Sequence, residues 1–192
     1  LRVEVSQRRP LMRLMVDGYD CYVTAEGFIF PAPELAAVYV PVVTGEYRPP
    51  VESGYVGYVG EYIAQRMTAY EEIIDTLQYE KVPLFEQTDI IADSVRAVRR
   101  MQVERKGWLG GFKGPFEDYD EYDARVQAKR DEKAALRRHL RYMDRENEKN
   151  IARVTERQDA EREKQKKLQK RYEDFLKLIN FVKYVENDSF WR

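Results

Sequence analysis

The sequence predicts an α+β protein: a small antiparallel β-sheet module with a large inserted helical arm, which ends in a long charged, coiled-coil-like helix. Three observations lead there. Residues 1–45 break into short apolar runs, each closed by a turn residue. From Tyr55 the apolar residues switch to helical spacing, and from Phe116 to Arg192 there is neither glycine nor proline.

The strands are read in order. Val3 and Val5 alternate with Arg2, Glu4 and Ser6. Pro10 fits a strand start or an edge, because proline cannot donate to a ladder. Leu11, Met12, Leu14, Met15 and Val16 are nearly continuous, as in a strand covered on both faces. Asp17-Gly18 is a hairpin-turn dipeptide, since both central positions of such a turn need positive φ. Tyr22-Val23 and Phe28-Ile29-Phe30 are paired strands joined by Ala25-Glu26-Gly27. Val38–Val43, interrupted by Pro41, is the last strand of the meander.

Pro49 and Pro50 separate the strands from helical sequence. Val59, Tyr62, Ile63, Met67, Tyr70, Ile73, Ile74 and Leu77 mark a helix over 55–80, and Pro83 is expected to end it. A second helix is expected over 88–106, capped by Thr88 or Asp89, with Ile91, Val95, Val98 and Met101 on one face and Gly107 just past its end. Gly107–Phe116, with four glycines, a proline and three large aromatics, must be a loop.

The helix that follows spans on the order of 100 Å at 1.5 Å per residue. Its residues 125–174 hold 17 basic and 11 acidic side chains, so most of its surface must be solvated. A seam alternating by three and four runs through Leu136, Leu140, Met143, Asn147, Ile151, Val154, Gln158, Glu161, Gln165, Leu168, Tyr172, Phe175, Ile179 and Val182. The polar centre of that seam predicts packing at both ends and an exposed middle. The helix should fold back on the two shorter ones. Its apolar end needs a surface to cover, so Phe181, Val182, Val185 and Trp191 are expected to close over one face of the sheet.

Composition and motifs argue against catalysis. The 33 basic and 34 acidic residues nearly cancel, so bulk charge nominates no partner. Cys21 is the only cysteine, which excludes an internal disulfide, and it reads as a small buried apolar residue. His139 is the only histidine, which excludes a two-histidine zinc motif. The acidic run Glu117–Asp123 lacks the glycine and spacing of a calcium loop and suits a helix N-terminus. Gly107, Gly110, Gly111 and Gly114 are not followed by Gly-Lys-Ser/Thr, so they make no phosphate loop.

Lys129, Lys133, Arg137, Arg141, Arg145, Lys149, Arg153 and Arg157 recur every four residues. Four residues turn a helix by about 400°, so the series winds around it and makes no single basic stripe for nucleic acid. No stretch approaches the roughly 18 apolar residues that span a bilayer. No catalytic, cofactor-binding or metal-binding residue and no cofactor is assigned, and the partner-binding residues are not identifiable.

Three short patterns in order resemble the extracytoplasmic β-domain of the bacterial cell-division FtsQ family, called DivIB in some bacteria. They are Arg8-Arg9-Pro10-Leu11-Met12; then Tyr22-Val23, Glu26-Gly27 and Phe28-Ile29-Phe30; then Pro41-Val42-Val43-Thr44-Gly45. The segment Phe181–Trp191 resembles the family's helix end with its phenylalanine-tryptophan pair, displaced more than 130 residues downstream of Gly45. The resemblance implies strands over 1–48, a helical insertion over 49–176 and a helix over 177–192 returning to the β-domain. Deleting residues 50–175 should then leave the sheet module folded.

The resemblance also implies a fragment. A cytoplasmic tail, one membrane helix and a small adjoining domain would precede Leu1, and further strands would follow Arg192. It implies a non-enzymatic scaffold on the extracytoplasmic (periplasmic) side of the membrane, linking early and late septal proteins. The partners implied are single-span coiled-coil proteins, FtsB (or DivIC) and FtsL. In the family they are held by strand addition at a C-terminal sheet edge, so the present residues alone should bind them weakly. The alternative is a helical adaptor or oligomerisation module that carries a small sheet and has no part in division.

Overall fold

The computed structural model describes residues 7–16, 18–33, 38–101 and 118–189. The expectations for Val3, Val5, Asp17, the loop Gly107–Phe116, Phe190 and Trp191 lie outside them. The chain folds as two compact units: one holds residues through Ile74 and from Asp159 onward, and the other holds Asp75–Gln158. Five strands precede two helices: β1 (Pro10–Val16), β2 (Tyr19–Thr24), β3 (Phe28–Pro31), β4 (Val42–Gly45), β5 (Gly57–Tyr58), α1 (Val59–Arg100) and α2 (Tyr119–Ser189). The fold is α+β.

In the first unit the sheet order is β4-β1-β2-β3-β5. It is mixed, not antiparallel throughout: β4 lies parallel to β1, with Leu14 opposite Val43. β5 takes the free edge of β3, β4 lies at the other edge of the sheet, and ahead of β4 the Val38 amide donates to the Tyr22 hydroxyl at 3.0 Å. The chain reaches the far edge running in the direction of β1. The expected strand Val38–Val43 is shortened from the front, because Pro41 has no amide to donate. Its carbonyl instead accepts from the Arg13 amide at 2.9 Å.

Strand register places Leu14 opposite Cys21, Met12 opposite Val23, and Val23 opposite Ile29. These side chains line one face and form a single buried cluster with Val51, with Val59 and Ile63 of α1, and with Phe175, Ile179 and Val182 of α2. Gly27, in the turn that hands β2 to β3, adopts φ of 78°. A Cβ there would sit 3.7 Å from Ile179 and 3.8 Å from Phe175, so the turn lies directly against α2.

Two expectations are corrected here. Val182 closes over the sheet, but Phe181 is 64% exposed and Val185 43%. The three-and-four spacing Phe175–Ile179–Val182 selects the facing residue, and Phe181 stands about 100° away around the helix. The second concerns the deletion. Val51, Val59, Ile63 and Phe175 belong to the sheet's own core, so removing 50–175 would strip it. Replacing only 75–158 with a short flexible linker should leave the first unit melting cooperatively. A melt of that variant without a cooperative transition would show that the boundary is misplaced.

In the second unit, α1 and α2 run antiparallel: Lys81 meets Gln158, Thr88 meets Asn147, and Lys133 meets the end of α1. Pro83 does not end a helix. α1 continues through it to Arg100, so neither Thr88 nor Asp89 is a cap. Buried or half-buried Leu77, Lys81, Leu84, Thr88, Ile91, Val95 and Val98 form an unbroken four-three seam across it. Pro83 faces solvent, so water can take the Tyr79 carbonyl that loses its helical donor. Packing of the seam outweighs the local proline penalty.

The exposed middle expected for α2 is also overturned. Asn147 is 3% exposed and Gln158 2%. The amide nitrogens of both are paired, while Asn147 Oδ1 is buried without a partner among the described residues. The Asn147 amide donates to the Leu84 carbonyl and to the Thr88 hydroxyl, both at 2.8 Å. The Gln158 carbonyl accepts from Lys81 Nζ at 2.6 Å, and its amide donates to Gln78 Oε1 at 3.2 Å. Lys81 itself is 8% exposed. A seam can carry polar layers when both helices supply matching groups.

Candidate interaction surface

β-Strand alternation sends every second residue to the face opposite the core. On that face Arg13 stands opposite Tyr22, Tyr22 opposite Phe30, and Phe28 opposite Tyr58. The rings form a ladder. Tyr22 and Phe30 have centroids 5.7 Å apart, Phe30 and Phe28 6.3 Å, and Phe28 and Tyr58 5.0 Å in an edge-to-face pair. Cross-strand aromatic pairs of this kind stabilise a sheet by roughly 0.2–1 kcal/mol each.

Two arginines lie on the ladder. The Arg8 guanidinium carbon is 3.4 Å from the Phe28 centroid and 5.4 Å from that of Tyr58. Arg13 is 5.7 Å from the Tyr22 ring and donates twice to Asp20, both at 2.8 Å. That hydrogen bonding holds the Asp20 carboxyl below its ordinary range. Met15 and Val42 complete the face, 46% and 52% exposed. Tyr22 itself is buried, with the Val38 amide on its hydroxyl. The accessible aromatic part of the face is therefore Phe28, Phe30 and Tyr58, with the two arginines, and the β4 edge beside Arg13 meets no strand among the described residues. Such a surface suits another polypeptide.

The residues weighed for chemistry lie apart. Cys21 is buried in the sheet core, and burial, with Asp20 second, pushes its thiol up to about 11. A disulfide reagent at neutral pH should leave native Cys21 unmodified and react fully once the chain is denatured. Rapid labelling of the native chain would contradict the burial. His139 is exposed on α2. From the acidic run, Asp118 accepts the Tyr119 amide at 2.7 Å and caps α2, with Asp120 and Glu121 in the first turn. Among the described residues, no group of three or more His, Cys, Asp or Glu side chains could hold a metal ion, and no helix is long and apolar enough to cross a membrane.

Lys133 has a role that spacing alone did not reveal. Its ammonium donates to the Arg99 carbonyl at 3.4 Å and to that of Met101, closing the C-terminal end of α1. The signal for the Lys81–Gln158 layer was present, since Leu77-x3-Lys81-x2-Leu84 already has seam spacing. Stopping the helix at Pro83 hid it. No family model, curated protein or solved structure matches the chain.

Proposed function

We propose that the protein is a non-enzymatic scaffold of the bacterial division machinery, resembling the FtsQ family, which holds other septal proteins on the extracytoplasmic side of the membrane. One observation carries the reading. The stretches bearing the resemblance lie far apart in sequence, yet they share one core: Leu11, Met12, Val23 and Ile29 pack with Val182 from the distant C-terminal stretch. That shared core is what the family likeness would require of the two stretches.

The half-exposed aromatic sheet face and the β4 edge, which meets no strand among the described residues, suit a protein that works by contact. The partners proposed are single-span coiled-coil proteins of the FtsB (or DivIC) and FtsL type, and the full polypeptide is membrane-anchored. It should therefore carry one apolar stretch of about 20 residues ahead of Leu1. Depleting it from its own cells should give undivided filaments in which the FtsB-like protein no longer gathers at midcell. Normal septation after complete depletion would overturn the proposal and favour the helical adaptor.

A further inference from the structure

We propose a second protein-docking surface, on the outer side of α1 between Asp75 and Asp93, whose occupant is a partner's amphipathic helix with an apolar stripe flanked by lysine or arginine. It does not rest on the resemblance to FtsQ. The seam of this unit uses Leu77, Lys81, Leu84, Thr88 and Ile91. On the other side of the helix Tyr79 is 76% exposed, Val82 48%, Phe85 51% and Ile90 65%. Four large apolar side chains within four turns, turned from their own partner helix, are more than a solvated face needs.

The charged groups exposed on this segment are all carboxylates. Five carboxylates stand between Asp75 and Asp93. Glu80 pairs with Arg157 at 3.5 Å and Asp93 with Arg96 at 2.7 Å. Asp75, Glu86 and Asp89 are exposed and make no ion pair among the described residues. Pro83 adds a fourth acceptor, because it cannot donate to the Tyr79 carbonyl. The one basic residue of the segment, Lys81, is turned into the seam.

These features choose among occupants. A second copy placed α1 against α1 would set carboxylates against carboxylates. The exposed side of α2 offers donors in Arg138, Arg141, Arg145 and Lys149, but Tyr142, 63% exposed, is the only large apolar side chain beside them. It cannot cover four. An anionic lipid surface is repelled. A helix with apolar residues at i, i+3 or i+4 and i+7, and cations beside them, answers the four apolar side chains and the three carboxylates that make no ion pair.

The test uses the whole 192-residue chain and two synthetic helical peptides of about three heptads. Both carry a leucine stripe; one is flanked by lysines, the other by glutamates. Fluorescence anisotropy should show binding of the lysine peptide and, at the same concentrations, about tenfold weaker binding of the other. The paired change Tyr79→Ser with Ile90→Ser should weaken the lysine peptide by about tenfold or more. The triple change Asp75→Asn, Glu86→Gln and Asp89→Asn should weaken it and flatten its salt dependence. All five positions are exposed, so the variants should melt like the parent, and Glu148→Gln with Glu156→Gln on α2 should bind like it. Equal binding of the two peptides, no binding of either, or indifference to the α1 changes would overturn the proposal. So would sedimentation showing a dimer that Ile90→Ser dissolves, which would name a second copy as the occupant.

Discussion

Truncating Phe175 to alanine should destabilise the first unit by about 3–5 kcal/mol, a large part of what a domain of this size possesses. The ring is 0% exposed and belongs to the cluster that holds Met12, Val23, Ile29, Val59 and Ile63. It stands where α2 meets the β2–β3 turn, against Gly27. A five-stranded sheet in which β4 has four residues and β5 two cannot bury one face by itself. The α2 side chains supply that burial, and Phe175 is the largest of those fully buried.

Alanine leaves a cavity whose walls are strands and helices that cannot collapse together, so the cost sits above the transfer free energy alone. Hydrogen exchange of the β1 and β2 amides is the direct measurement: protection should fall across both strands. Phe175→Leu, which refills most of the volume, should cost less than about 1.5 kcal/mol. A Phe175→Ala protein with unchanged strand protection would mean that α2 does not close the sheet.

The second large effect is expected at the buried polar layer of the other unit. Gln158→Leu should cost about 2–4 kcal/mol, because it leaves the Lys81 ammonium inside the seam without its 2.6 Å acceptor. The loss comes from the stranded charge and not from any inherent merit of the pair. Adding Lys81→Leu should therefore recover most of it, and the double variant should be as stable as the parent or more so. Lys81→Leu alone should be mild, since Gln158 keeps its bond to Gln78 at 3.2 Å. Urea unfolding of the four proteins gives the coupling. Additive losses would mean that the two side chains do not depend on one another.

What the leucine pair should lose is register. Apolar heptads tolerate a slip by one repeat, whereas a slip would part Lys81 from Gln158 and Thr88 from Asn147 and leave buried polar groups unmatched. Two polar layers at different heights allow one alignment of α1 on α2.

Period and punctuation in the sequence determined the first three strands and the long helix, but not β5 or the continuity of α1. The runs Leu11–Val16, Tyr22-Val23 and Phe28–Phe30 are strands β1 to β3, and the glycine-free stretch after Phe116 contains one helix from Tyr119 to Ser189. The α2 seam from Leu140 to Val182 was legible because a three-four alternation reports on local geometry alone. For the interaction surface, the sequence supplied the aromatic and arginine residues but not their meeting. Arg8, Phe28 and Tyr58 share a site only because β3 pairs with β5.

Tertiary structure decided the rest, wherever a local preference met a longer-range partner. β4 pairs with β1, parallel to it, while β5 holds the edge of β3. Pro83 lies inside a helix because seven seam residues on α1 have α2 to pack against, while the lost hydrogen bond faces water. Gln158 and Asn147 are buried because Lys81, Gln78, Thr88 and the Leu84 carbonyl lie across from them. Hydrophobicity along one helix can say that a residue is polar. Whether that residue can be buried depends on the donor or acceptor opposite, which belongs to another part of the chain.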